Sequence, residues 1–337
     1  MEAGSNFPNN GGSLHLAENF KAAWNQNHLH LIIMPTEKCN FRCVYCYEDF
    51  KIGKMKPAVL AGVKNLLRTR VPTIKSLEIN WFGGEPTVAL DTVLEVMETA
   101  KSVCREHNVY LRAGMTTNGF LLTADAYRAL VDHYVVDYQI SLDGPAEFHD
   151  TTRLQANGKG SFEQIMANLD AIYRLPIEAG EILLRLHLTR KNEYVLNDFA
   201  QWLEIRYGQD KRFRFTLQPV ENLGGDADLS ELVLENQERG WGENSHPVPS
   251  DEETSGMERK HDESYVCYAA KANSFVLRAD GRVGKCTVAL NNDYNTIGEL
   301  KQDGSLSLDE AKTARWFRGW STQNQADLAC PAASVFL

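Results

Sequence analysis

From Leu29 to Val220 short apolar runs alternate with stretches of helical period. The runs read LHLIIM, SLEINWF, VYLRAGM, VVDYQIS, EILLRLHL and RFRFTLQPV. Between them lie AVLAGVKNLL, VLEVMETAKSV, AYRALVDHY, FEQIMANLDAIYRL and EYVLNDFAQWLEIRY. Strands joined through helices need parallel crossover units, and in one chain such units wrap into a barrel or a doubly wound sheet. The class is therefore α/β. The expected architecture is a partial (βα)6 barrel of the TIM type over residues 29–220, with chemistry on the loops at the carboxyl ends of its strands.

The flanks differ in character. Residues 1–28 form an N-terminal extension, polar and rich in Gly and Asn, with neither a basic nor an apolar stretch to direct secretion. Residues 221–263 are acidic and rich in Gly, Ser and Pro, the composition of a linker or surface loop. Residues 264–337 open a small module with SFVLRADGRVGKC, two β-prone runs around the Asp280-Gly281 step of a hairpin. A net charge of −10 with no basic patch argues against nucleic acid as partner, and no run reaches the length of a membrane span. Seven cysteines, an odd number, favour metal or redox chemistry over a disulfide framework and place the chain in the cytoplasm.

Three of those cysteines, Cys39, Cys43 and Cys46, fall within KCNFRCVYCY, just after the first strand. Thiolates so close together need a shared cation, and soft sulfur selects zinc or an iron-sulfur cluster. Structural zinc wants four closed ligands, and the chain has no second pair at two-residue spacing. Three thiols can instead hold three irons of a four-iron cluster and leave the fourth open. C-x3-C-x2-C with Tyr45 before the last cysteine resembles the signature of radical S-adenosylmethionine (AdoMet) enzymes. The resemblance implies that the open iron of a 4Fe-4S cluster chelates AdoMet while Tyr45 packs near the adenine. It also implies reductive cleavage to a 5′-deoxyadenosyl radical, with the electron brought by a donor such as flavodoxin or ferredoxin.

Other strand ends carry the same resemblance. WFGGEP, after the second strand, offers Gly83 and Gly84 for close backbone approach and Glu85 as acceptor for an ammonium, and it resembles the family's methionine-amino-binding motif. MTTNG closes the third strand with Thr117 and Asn118, able to bond ribose or carboxylate. ISLDGPAEFHDTTR and GKGSF close the fourth and resemble the peptide-modifying branch that includes anaerobic sulfatase maturases. Ser141 and Arg153 would by that resemblance contact the cofactor, Arg153 through its carboxylate. Asp143 reads either as a turn residue or as a wall of the site, and Gln218, ending the sixth strand, as a candidate for the adenine side.

Cys267, Cys286 and Cys330 are far apart in sequence. DGRVGKC resembles the G-x4-C element of the auxiliary-cluster modules called SPASM or twitch, without the dense run of cysteines that completes SPASM. At most one auxiliary Fe-S cluster fits, held by these three. Cys104, on a helical stretch, reads as a core thiol.

The branch acts on peptides. The reading that follows is oxidative cross-linking within a ribosomally made precursor. Epimerisation is the runner-up, with Cys330 as hydrogen donor if it is not a ligand. Formylglycine formation is disfavoured because Thr287 follows Cys286 where sulfatase maturases carry an acid, leaving the base to Asp280 or Asp293. A radical enzyme on an amino sugar and a zinc-binding scaffold stand as alternatives. The segment before Leu29 is too short to fold as a leader-binding winged helix, so leader recognition would fall to a sheet edge, the acidic stretch or a separate protein.

Overall fold

The computed structural model describes residues 18–225, 227–234, 246–247 and 265–335; the greater part of the acidic stretch lies outside them. All six expected strands form: β1 His28–Ile33, β2 Ser76–Trp81, β3 Tyr110–Thr117, β4 Val135–Leu142, β5 Glu181–Leu188 and β6 Phe213–Pro219. They pair in parallel in that order. Each is preceded or followed by a helix, so the wall is an open parallel barrel.

Alternation along each strand decides its two faces. Leu29, Leu31 and Ile33 of β1, with Leu77, Ile79 and Trp81 of β2, are buried against the helices. Each such side chain contributes roughly 1.5–3 kcal/mol by leaving water. The opposite, concave face is polar. His28 Nδ1 lies 2.9 Å from Ser76 Oγ, and His30 Nε2 accepts from Asn80 Nδ2 at 2.8 Å. Helix ends are closed locally: Thr123 caps Ala124–Val131 by accepting from Ala126 N–H, and Asn108 ends Leu90–His107 in the left-handed region.

A further strand, Ser274–Leu277, adds to the free side of β1, also in parallel. It turns through Gly281 (φ +94°) into the antiparallel partner Arg282–Gly284, giving the hairpin expected at Asp280-Gly281. The carboxy-terminal region thus continues the barrel sheet. A buried ion pair fastens it there: Arg278 donates to Glu37 through Nε at 3.1 Å and Nη2 at 2.5 Å, and through Nη1 to the Leu290 carbonyl. Both side chains are 3% exposed, so removing either would strand a charge in the interior. Cys104 packs in the main core. Among the described residues no helix is long and apolar enough to cross a membrane.

Candidate functional site

One cavity of about 410 Å³ opens at the carboxyl ends of the strands. It is lined by Cys39, Cys43 and Cys46 and by all nine residues read as cofactor contacts: Tyr45, Gly83, Gly84, Glu85, Thr117, Asn118, Ser141, Arg153 and Gln218. Inward-facing positions of the strands supply Gln139, Arg185 and His187, and the carboxy-terminal region supplies Thr287 and Val288.

The cysteine loop begins where β1 ends and is pinned at Cys43 by a two-stranded pairing that sets Cys43 opposite Arg153. Burial pushes the thiols of Cys39 and Cys46 up to about 12, so both are neutral until a cation arrives. Among the described residues no three of His, Cys, Asp and Glu converge closely enough to share a single metal ion. Three soft donors spread around one cavity suit a cluster that takes each thiolate on a different iron.

Glu85 is the hub of the next two strand ends. Oε1 accepts from Thr87 N–H (3.0 Å), Thr87 Oγ1 (2.5 Å) and Thr117 Oγ1 (2.7 Å), and Oε2 from Asn118 N–H (2.7 Å). The carboxylate is held rigidly, with Oε2 retaining acceptor capacity toward the cavity. Gly83 and Gly84 are required by chain packing as much as by any ligand. A Cβ on Gly84 would lie 2.4 Å from the Lys38 carbonyl oxygen, and one on Gly83 2.4 Å from that of Thr36. The motif therefore seats β2 against the cysteine loop. Asn118 Nδ2 donates to Asn40 Oδ1 at 2.8 Å, a second tie to that loop.

Tyr45 turns its hydroxyl inward. It donates to Asp143 at 2.8 Å, accepts from Arg153 Nη1 at 2.8 Å and lies 2.9 Å from His187 Nδ1. Asp143 also accepts from Thr152 Oγ1 at 2.6 Å. Burial alone would raise Asp143, but the His187 hydrogen bond and the charge of Arg153 outweigh it and hold the carboxyl well below the usual carboxylate range. Asp143 is thus the anchor beneath the site, resolving its reading as turn or wall. Arg153 is 6% exposed, far from a surface ion pair, and its Nε is buried without a partner.

Several cavity residues escaped sequence reading, three of them with chemistry to offer. His187 and Arg185 alternate with leucines in LLRLHL, and that period-two polarity inside an expected barrel strand was the available signal. Glu48, two residues past Cys46, is the third surprise: its Oε2 is buried and unpaired, and burial, aided by Glu37, pushes the carboxyl up to about 8.

Cys267, Cys286 and Cys330 do not line the cavity. The fold brings them near enough that the charges of Cys286 and Cys330 both raise Cys267, and that of Cys286 raises Cys330, on top of burial in each case. Tyr47 lies between the two thiol sets, feeling both Cys46 and Cys286. Thr287 is tied to Tyr268, donating its N–H to that hydroxyl at 2.9 Å. Asp280 is engaged by Arg282 at 2.7 Å, and neither it nor Asp293 reaches the cavity, so both fail as the base suggested for them.

A parallel open barrel whose first strand-end loop carries a thiol tripod, with a Gly-Gly-Glu-Pro turn one crossover later, defines a class of cluster-dependent enzymes. The sequence model of the radical SAM superfamily matches residues 33–198, so the chain carries a radical SAM domain. Such a domain implies a 4Fe-4S cluster and AdoMet. The chain is similar to the cysteine-type anaerobic sulfatase-maturating enzyme of Clostridium novyi, 33% identical over 44% of this chain and 42% of that protein. It is also similar to a GTP 3′,8-cyclase of Klebsiella pneumoniae, 26% identical over 67% of this chain and 68% of that protein. In fold it resembles the solved structure of anSMEcpe with bound AdoMet and Cp18Cys peptide (TM-score 0.59, 19% identical, 85% of this chain and 80% of that one). The aligned region spans less than half the length of the sulfatase-maturating relative.

Proposed function

We propose that this chain is a peptide maturase: it cleaves AdoMet reductively and abstracts hydrogen from a residue of a ribosomally made precursor, most simply to close an intramolecular cross-link. The observation that carries this reading is the convergence on one cavity of Cys39, Cys43 and Cys46 with Glu85, Asn118, Ser141 and Arg153. When bound, the cluster and AdoMet together supply one-electron cleavage and a primary carbon radical. The chain's own residues do the rest. Cys39, Cys43 and Cys46 would hold the cluster; Glu85 Oε2 would accept from the methionyl ammonium; Arg153, with its free Nε, and Ser141 would take the carboxylate. Thr117, Asn118 and Gln218 would address the ribose and adenine, and the Gly83-Gly84 backbone would close over them.

Peptide as substrate is supported by the carboxy-terminal wall, since Thr287 and Val288 extend the cavity beyond the barrel, and by the peptide bound in the anSMEcpe structure. Cys267, Cys286 and Cys330 would carry one auxiliary Fe-S cluster, its remaining iron open to a non-cysteine ligand or to substrate, and a flavodoxin- or ferredoxin-like donor would supply electrons. Thr287, bound to Tyr268, supplies no base for formylglycine chemistry, which favours cross-linking over that reading.

The test is mass spectrometry of candidate precursor peptides from short reading frames beside the gene, incubated anaerobically with reconstituted enzyme, AdoMet and reductant. Loss of two hydrogens, with fragment ions that join two residues and no aldehyde trapped by a hydrazine, supports the cross-link. Cleavage of AdoMet with every peptide unchanged in mass and stereochemistry defeats the peptide assignment.

A further inference from the structure

Two guanidiniums, Arg153 and Arg185, line the cavity with an Nε that is buried and unsatisfied. Their surroundings differ. Arg153 sits opposite Cys43 and is steadied by the Tyr45 hydroxyl. Arg185 stands on the concave face of β5, in register with Ser141 of β4 and Thr216 of β6, on the side toward the last barrel strand. Its Nε is buried with no hydrogen-bond partner.

Two of the nearby carboxylates are committed elsewhere, and the unpaired Glu48 is not among the charges that act on Arg185. Asp143 serves Tyr45, Thr152 and His187, and Glu85 serves Thr87, Thr117 and Asn118. Glu221, on the same wall, favours the Arg185 cation, yet burial outweighs it and the group falls below the ordinary arginine range. A half-buried cation so poorly compensated, with its Nε out of contact with water, gains from any anion that reaches it, and a planar guanidinium selects a carboxylate by its paired N–H groups. AdoMet brings one carboxylate, and Arg153 is placed to take it. The second guanidinium is surplus to the cofactor.

We propose that Arg185 is a substrate-recognition residue that binds a carboxylate of the peptide, so that the enzyme selects segments with an acidic group beside the residue it modifies. This rests on the peptide-maturase reading and deepens it.

The test uses the reconstituted holoenzyme with AdoMet, immobilised without air, and a synthetic heptapeptide library. Library members are N-acetylated, carry Glu, Gln or Lys at one variable position, and are made both as amides and as free acids. Retained peptides are counted by mass spectrometry. The wild type should retain Glu amides about tenfold over their Gln isosteres, as expected for a charge-assisted pair. Arg185→Glu should reverse the bias toward Lys, and Arg185→Gln, which keeps the fold if the reversal does not, should erase it. Enrichment of free acids regardless of the variable residue, lost in Arg185→Gln, also supports the assignment and identifies the carboxylate as the chain terminus. Retention without acidic bias, or a bias unchanged in both variants, overturns the role of Arg185 while leaving the maturase reading intact. A fall in AdoMet affinity in Arg185→Gln as large as in Arg153→Gln overturns it too, giving the residue to the cofactor. A wild type that cleaves AdoMet and retains no peptide overturns both.

Discussion

The Tyr45 hydroxyl, on the turn between Cys43 and Cys46, donates at 2.8 Å to the carboxylate of Asp143, the residue that follows β4. This bond locks the thiol tripod to the barrel before any cluster is present. Arg153 and His187 share the same hydroxyl, so its loss would leave several buried groups without their partner. Tyr45→Phe is expected to cost about 1–3 kcal/mol in urea unfolding of the apo-protein. It should also lower iron retained after reconstitution. His187→Gln, which keeps a donor in place, should do less of both.

Glu85 makes a sharper test because four donors end on it. Glu85→Ala strands two backbone N–H groups and two hydroxyls and should cost roughly 2–4 kcal/mol. Glu85→Gln preserves the Oε1 bonds yet removes the negative charge, so stability should fall by less than half as much while AdoMet affinity drops at least tenfold. Equilibrium dialysis with labelled AdoMet on reconstituted protein measures the second effect.

Gly84 has no room to change. Its added Cβ would meet backbone, the Lys38 carbonyl, and not a yielding side-chain tip. Gly84→Ala should therefore displace the cysteine loop and reduce bound iron per chain at least twofold. Gly53→Ala, where a Cβ meets nothing within 4 Å, is the matched control and should leave iron content unaltered.

Acid should weaken the fold through His149. Its Nδ1 accepts from the Asp143 N–H at 3.3 Å, which makes Nε2 the protonated nitrogen facing Ser161 Oγ at 3.1 Å. Burial depresses this histidine to about 4 from an ordinary value near 6.5. As pH falls through 6.5 the unfolded chain takes up a proton that the folded one refuses, so stability declines until pH 4 and no further from this group. Between pH 7 and 5 the loss should be about 2 kcal/mol, read from urea midpoints. His149→Asn should flatten that slope.

Much of the fold was written locally. Strand-helix alternation marked all six barrel strands, and the Asp280-Gly281 step marked the hairpin, because both depend on periodicity and turn chemistry within a few residues. That Ser274–Leu277 adds in parallel to β1 was not legible, since nothing in a strand's own residues names a partner more than two hundred positions away. The site divides the same way. Thiol spacing, Gly-Gly-Glu-Pro and the polar strand ends announced the cavity. The inward alternation of Arg185 and His187, the burial of Glu48 and the turning of Tyr45 toward Asp143 arise only when distant strands meet. Gly83 and Gly84 show the limit well: their letters suggested ligand approach, and their neighbours are the Thr36 and Lys38 carbonyls.

The most direct measurement is chromatography of the nucleoside products after anaerobic protein, reconstituted with iron and sulfide and reduced with dithionite, is given AdoMet. The account predicts 5′-deoxyadenosine from the wild type and none from Cys43→Ala. Intact AdoMet in the wild-type reaction, with the cluster's visible absorbance present, would contradict it.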